Sequence, residues 1–199
     1  MNLGKYVAIG VVLVIVFGLF SGVGTYNGLV DAEEGVARAW ANVETNYQRR
    51  SDLIPNLVNT VRGAADFEQE TLEAVTNARA RATSINLDAS DLSDPARLAE
   101  FRTAQEGLSG ALGRLLMVTE NYPELRATEA FRDLQSQLEG TENRISVARR
   151  DYNAAVAAYN QRVRRFPGSL VAGITGFERR TPFEAQAGAE KAPEVDFNS

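Results

Sequence analysis

From Tyr6 to Val30 the chain carries no charged side chain, and the heart of this run reads Val7-Ala-Ile-Gly-Val-Val-Leu-Val-Ile-Val-Phe-Gly-Leu-Phe20. At ~1.5 Å per helical residue, about twenty such positions cover the ~30 Å hydrocarbon core of a bilayer. The pattern predicts a transmembrane anchor over residues 1–25. Lys5, the apolar run and Gly22-Val23-Gly24 also fit a cleaved secretory signal loosely. The uncharged run, however, continues through Leu29-Val30 into a helical pattern, which favours a retained anchor. Lys5 precedes the span and Asp31, Glu33 and Glu34 follow it, so the positive-inside rule places the N-terminus in the cytoplasm and the domain outside.

Beyond the anchor every periodic stretch is helical. Leu29, Val36, Trp40, Val43 and Tyr47 fall on one face of a first helix that resumes at about Tyr26 as a continuation of the span. Arg49-Arg50-Ser51-Asp52 then precedes Leu53-Ile54-Pro55. Proline suits a first helical turn and Asp52 a cap, so a tight reversal is expected here, with a second helix over residues 53–85. Its stripe is Ile54, Leu57, Val61, Ala64, Thr71, Val75, Ala78, Ala82 and Ile85. The alternative, one helix kinked at Pro55, requires ~80 Å of continuous rod. Asp94-Pro95 opens a third helix that runs to about Thr119 with Leu98, Phe101, Leu108, Leu112 and Leu115 inward. After Asn121-Tyr122-Pro123, a fourth helix extends to about Arg165. Phe131, Leu134, Leu138, Thr141, Ile145, Ala148, Tyr152, Ala155 and Tyr159 recur along it at spacings of three and four, a heptad seam.

The expected fold is all-α: a transmembrane helix continuing into an antiparallel up-down-up-down four-helix bundle over residues 26–166. In that topology the fourth helix returns toward the membrane, delivering the uncharged segment Phe166–Phe177 there. Phe166, Leu170, Val171, Ile174 and Phe177 are candidates for contact with the membrane surface or a neighbouring subunit; folding back onto their own bundle is the alternative. Residues 178–199 read as a polar, acidic, extended tail.

Composition narrows the chemistry. Net charge is −5, from 26 acids and 21 bases, which argues against a nucleic-acid-coating surface. Cysteine and histidine are both absent, closing disulfides, thiolate or imidazole zinc sites, and Ser-His or Cys-His catalysis. The acids Asp66, Glu68, Glu70 and Glu73 could pair on a helix face to bind a hard cation, although such spacing more often makes a solvated face. The arginine doublets 49–50, 149–150, 164–165 and 179–180 could meet phosphate or lipid head groups, but acids are interleaved with them. Gly140, inside the fourth helix, suggests a close helix approach or a local bulge.

Several stretches together resemble the LemA family of bacterial membrane-anchored proteins. They include Trp40-Ala41-x-Val43-Glu44, Gln48-Arg49-Arg50-x-Asp52-Leu53-Ile54-Pro55-Asn56-Leu57-Val58 and Glu120-Asn121-Tyr122-Pro123-Glu124-Leu125. Leu138-Glu139-Gly140-Thr141-Glu142-Asn143-Arg144-Ile145, Asp151-Tyr152-Asn153, Tyr159-Asn160, Phe166-Pro167, Phe183-Glu184 and Lys191-Ala192-Pro193-x-Val195-Asp196-Phe197 extend the likeness over nearly the whole chain. Where the family commonly has Gly-Tyr-Ala-x-His-Glu, this chain has Gly63-Ala64-Ala65-Asp66-Phe67-Glu68, so any role of that histidine is absent. The resemblance implies a single-pass anchor and a helical bundle in the bacterial inner membrane, but no activity. Some relatives are associated with membrane remodelling and organelle formation.

The functional expectation is a non-enzymatic scaffold that self-associates, with membrane lipid and further copies as partners. It needs no cofactor, small-molecule substrate or nucleic acid. The alternative is an adaptor for a membrane protease or other envelope enzyme, with Arg49, Arg50, Asp52, Pro55 and Asn56 forming a recognition tip at the first interhelical turn. A carboxylate-metal hydrolase is the remaining reading.

Overall fold

The computed structural model describes residues 3–63 and 67–184, and these are mostly helical with no β-strand among them. Helix α1, Leu3–Arg62, is a single rod of 60 residues, about 90 Å long at the ordinary helical rise. Its N-terminal part, from Gly4, is long and apolar enough to cross a membrane, and none of the described side chains in its most apolar stretch is buried. Five helices follow: α2, Gln69–Ser84; α3, Pro95–Val118; α4, Pro123–Ala127; α5, Glu129–Arg164; and α6, Gly168–Thr175.

The predicted reversal at Arg49–Asp52 does not occur. Helix α1 continues through Pro55 without a break, and the chain leaves it only after Arg62. A proline inside a helix lacks the N–H that would bond the carbonyl four residues back, here that of Ser51, and its ring pushes that carbonyl aside. The freed oxygen accepts a hydrogen bond from Arg79 Nε of α2 at 2.9 Å. The second helix is correspondingly short and starts at Gln69. Ile54, Leu57 and Val61, expected on it, lie instead on the buried face of α1. Ala64 and Asp66 fall outside the described residues.

Elsewhere local chemistry sets the boundaries as expected. Asp94 caps α3, its Oδ1 accepting from Ala96 N at 2.8 Å, with Pro95 in the first turn. Pro123 opens only the short α4. The long fourth helix of the sequence pattern then begins anew at Glu129, with Thr128 Oγ1 accepting from Phe131 N.

Helices α1 and α5 run antiparallel: Gly28 meets Arg162 and Arg50 meets Glu142. Two cores result. Near the apolar end of α1, Val36, Trp40, Val43 and Tyr47 pack on Leu98 and Phe101 of α3 and on Ile145, Tyr152, Val156 and Tyr159 of α5. Farther out, Ile54, Leu57, Val58 and Val61 pack on Leu72 and Val75 of α2, Leu108, Leu112 and Leu115 of α3, and Phe131 and Leu138 of α5. Along the heptad seam Leu134 and Ala155 are only half buried, and Val156 takes the deeper position. A side chain at Gly140 would meet nothing, so that glycine marks neither a close approach nor a break in α5.

Candidate functional site

A polar layer separates the two cores. Arg50 is 1% exposed, yet its guanidinium donates to Ser109 Oγ at 2.8 Å, to Glu142 Oε1 at 2.7 Å, and to the side-chain and main-chain oxygens of Gln105. Gln105 Nε2 in turn donates to the carbonyl of Ala82 on α2. One arginine on α1 thus ties α3 and α5 directly and α2 through Gln105. This corrects the expected recognition tip: no interhelical turn exists there, and Arg50 is an interior strut. Arg49, Asp52, Pro55 and Asn56 are exposed in mid-helix. Arg49, Asp52 and Asn56 line a surface cleft of about 1100 Å³ with Tyr47, Gln105 and Arg144.

The most completely formed polar site lies on α5, in the aromatic half. Two Tyr-Asn pairs, Tyr152-Asn153 and Tyr159-Asn160, sit one heptad apart, ~10.5 Å along the helix. After Gly176, whose φ of +84° requires glycine, residues 177–184 leave α6 as a non-helical strap along this face. Tyr159 donates to the carbonyl of Glu178 at 2.8 Å, and Tyr152 to that of Thr181 at 2.9 Å. Each asparagine grips one residue's main chain from both sides. Asn160 Nδ2 donates to the Arg180 carbonyl at 2.8 Å and its Oδ1 accepts from Arg180 N at 2.9 Å. Asn153 does the same for Phe183, at 2.9 and 2.8 Å. Three extended residues span ~10 Å, so a period of seven on the helix matches a period of three on the strap. Thr181 N donates to the carbonyl of Leu92 at 2.8 Å, closing the other wall, and Pro182 falls where no N–H is needed.

Two side chains anchor the middle of the strap, while Glu184 at its end pairs with Arg102 at 3.3 Å. Phe183 stacks on Trp40 at 5.9 Å and meets Tyr152 edge-on at 5.4 Å, with the Arg149 guanidinium over its outer face. Arg180 pairs with Glu33 of α1 at 2.6 Å, donates to Ser93 Oγ, and lies over the Tyr159 ring. Burial pushes the phenol of Tyr152 well above its ordinary range. It raises Tyr159 too, helped by the negative charge of Glu33, while Arg180 pulls both the other way. Both phenols are therefore held as donors.

This site corrects the polar-tail reading of residues 178–184, since Phe183 is core. The remaining tail, residues 185–199, lies outside the described residues. Sequence reasoning did not single out Tyr152, Asn153, Tyr159 or Asn160 as a site. The available signal was a repeated Tyr-Asn dipeptide at heptad spacing, with asparagine placed where helix interiors disfavour it.

Helix α6 lies across α1. Gly168 at its start approaches Thr25, and Phe177 just past its end meets Tyr26 edge-on at 5.6 Å, so both ends reach the same turn. A Cβ on Gly168 would collide with the Arg162 carbonyl; only glycine allows this approach. The five residues singled out in this segment divide. Val171 and Phe177 are half buried beside the buried Ala172, whereas Phe166, Leu170 and Ile174 stay exposed, at 75%, 59% and 85%. Among the described residues no group of three acidic side chains is placed to hold a metal ion.

These features define a class: an all-helical protein with one long apolar N-terminal helix, whose most developed polar site grips peptide main chain. The chain belongs to the LemA family, whose model matches residues 39–197. It is similar to magnetosome protein MamQ 2 of Paramagnetospirillum magneticum, 28% identical over 175 residues, covering 80% of this chain and 64% of the relative. Magnetosome protein MamQ of Magnetospirillum gryphiswaldense is 26% identical over 170 residues, covering 77% and 62%. Protein LemA of Metamycoplasma hominis is 24% identical over 150 residues, covering 75% and 64%. The chain thus spans under two thirds of the length of each of these curated relatives.

Proposed function

We propose that this chain is a membrane-anchored, non-enzymatic scaffold that organises the bacterial envelope by associating with copies of itself. Residues 1–25 cross the inner membrane with the N-terminus inside, and α1, α2, α3 and α5 form an up-down-up-down bundle outside it. The observation that carries this reading is the unbroken α1, which passes from an exposed apolar stretch directly into both cores. A body built on such a rod stands at a fixed height above the bilayer. Helix α6, lying across the rod where the apolar stretch ends, rests Phe166, Leu170 and Ile174 on the lipid surface, with Arg164 and Arg165 beside the head groups. Two of the relatives are named as magnetosome proteins, which is in keeping with a part in building a cellular structure for this chain.

The native chain has no cysteine, so single cysteines report position cleanly. In membranes, Leu13→Cys and Ile174→Cys should react with a membrane-confined maleimide, and Asn143→Cys on α5 only with a water-soluble one. Water-soluble labelling of Leu13→Cys in intact membranes would contradict the anchor; the same result at Ile174→Cys would remove α6 from the lipid surface.

A second reading, the adaptor, draws on the polar cleft lined by Arg49, Asp52 and Asn56. In it, Arg49→Ala abolishes capture of an envelope partner without changing helical content.

A further inference from the structure

The strap is held by a ladder of main-chain hydrogen bonds and by the side chains of Arg180 and Phe183, and all of the groups that hold it lie on other elements of the fold. The walls of this groove are α5 with the two Tyr-Asn pairs, α1 with Glu33 and Trp40, and the Leu92-Ser93 turn. Without the strap, the faces of Trp40 and Tyr152 that now meet Phe183 would be bare, and the asparagine amides would lose both their bonds. A groove so built calls for an extended segment with arginine and an aromatic residue three positions apart. The segment whose fit the structure shows is residues 178–183, and every further copy of the chain carries it.

The anchor makes the exchange geometrically simple. Trp40 lies about 22 Å along α1 from Thr25, the turn that α6 crosses, so strap and groove stand at one height in every anchored copy. The strap is joined to the rest of its own molecule through Gly176, where no neighbouring atom would meet even an added Cβ.

We infer that this ladder is the joint between copies: the strap of one molecule, residues 178–183, enters the Tyr152-Asn153 and Tyr159-Asn160 groove of its neighbour. Swapping an identical element reuses every intramolecular contact, so it links copies at little cost in contacts. A strap given to one neighbour and a groove filled by another extends this into chains of copies in the membrane plane. The inference rests on the self-association reading above and names the contact responsible.

Complementation between two full-length variants tests it. Asn153→Ala with Asn160→Ala keeps the strap and spoils the groove; Arg180→Ala with Phe183→Ala keeps the groove and spoils the strap. Expressed alone and extracted in mild detergent, each should co-isolate with its own kind about tenfold less than the unaltered chain. Expressed together with different tags, they should recover to within about twofold of it, because the first supplies a strap to the groove of the second. Recovery of each variant alone at the unaltered level would overturn strap exchange while leaving self-association standing. So would a mixture no better than its parts, with helical content intact by circular dichroism. An unaltered chain that never co-isolates with itself would overturn self-association first. A synthetic peptide of residues 177–184 gives an arm free of folding effects. Added to the unaltered complex, it should release the partner copy while a scrambled peptide does not; equal behaviour of the two peptides would overturn the inference.

Discussion

The half of the helical body nearer the apolar end of α1 is packed with buried rings, namely Trp40, Tyr47, Phe101, Tyr152, Tyr159 and Phe183, whereas the far half is packed mainly with leucine, isoleucine and valine around the buried ring of Phe131, with Phe67 and Tyr122 half-buried at its edge. Branched aliphatic side chains on facing helices interdigitate and close a core from within. Flat rings prefer edges and offset faces, and leave a face that something must cover. In the near half the cover is the strap, which brings Phe183 onto Trp40 and occupies the polar edge of α5. On the far half the loop residue Phe67 and Tyr122 meet at 5.0 Å against the aliphatic core, and no extended strap lies over it among the described residues. Between them the Arg50 layer fixes the helices against sliding, since its donors meet acceptors at one register only. The far half is closed mainly by its own helices; the near half is closed by a non-helical strap.

The sharpest way to break that contrast is a truncation in each half. Trp40→Ala should cost about 3–5 kcal/mol and expose the strap to trypsin at Arg179 and Arg180. Leu115→Ala should cost about 2–5 kcal/mol in thermal or urea denaturation yet leave the strap protected. Equal strap cleavage in both variants would erase the distinction between the halves.

A smaller effect concerns the continuity of α1. Arg79→Ala leaves the Ser51 carbonyl without its donor and should cost about 1–3 kcal/mol. In a Pro55→Ala background the helix supplies its own N–H to that carbonyl, so the Arg79 effect should shrink by most of that amount in a double-mutant cycle. The same cost in both backgrounds would mean that Arg79 does not compensate for the proline.

Alkaline pH should loosen the near half first. Burial raises both phenols, so the fold favours their protonated, donating forms. Their contribution is intact below the ordinary tyrosine value of about 10 and is lost as pH rises through the higher folded values. Strap proteolysis should therefore accelerate above about pH 10, together with tyrosinate absorbance, before the far half unfolds. Strap release at neutral or acidic pH instead would assign the control to other groups.

The mildest change is Gly140→Ala, at a position with open space on α5. It should stabilise by about 1 kcal/mol, seen as a rise in Tm. Destabilisation there would reveal a constraint on the cleft side of α5.

The sequence made the helical periodicity legible wherever a buried face repeats. The stripe Leu29, Val36, Trp40, Val43, Tyr47 and the α3 set from Leu98 to Leu115 are buried as spaced. Asp94-Pro95 marked a helix start because capping is local chemistry. Pro55 misled for the same reason: Asp52 and Pro55 do read as a helix start, and what overrides them is a donor 28 residues away on α2. Arg50 looked like a surface charge because the acceptors that permit its burial, Gln105, Ser109 and Glu142, come from two other helices. The strap was invisible for a different reason. Much of its recognition is through backbone atoms, which all sequences share, so the traces of it were the Tyr-Asn repeat on the receiving helix and Phe183 in an otherwise polar run.

The most direct test of the scaffold is the native mass of the complex extracted from membranes in a mild detergent, with the detergent's share subtracted. The chain weighs 21.7 kDa. A self-associating scaffold should appear as a species several times that mass, which falls toward it when the strap residues Arg180 and Phe183 are replaced by alanine. A unaltered protein at single-copy mass at micromolar concentration would contradict it.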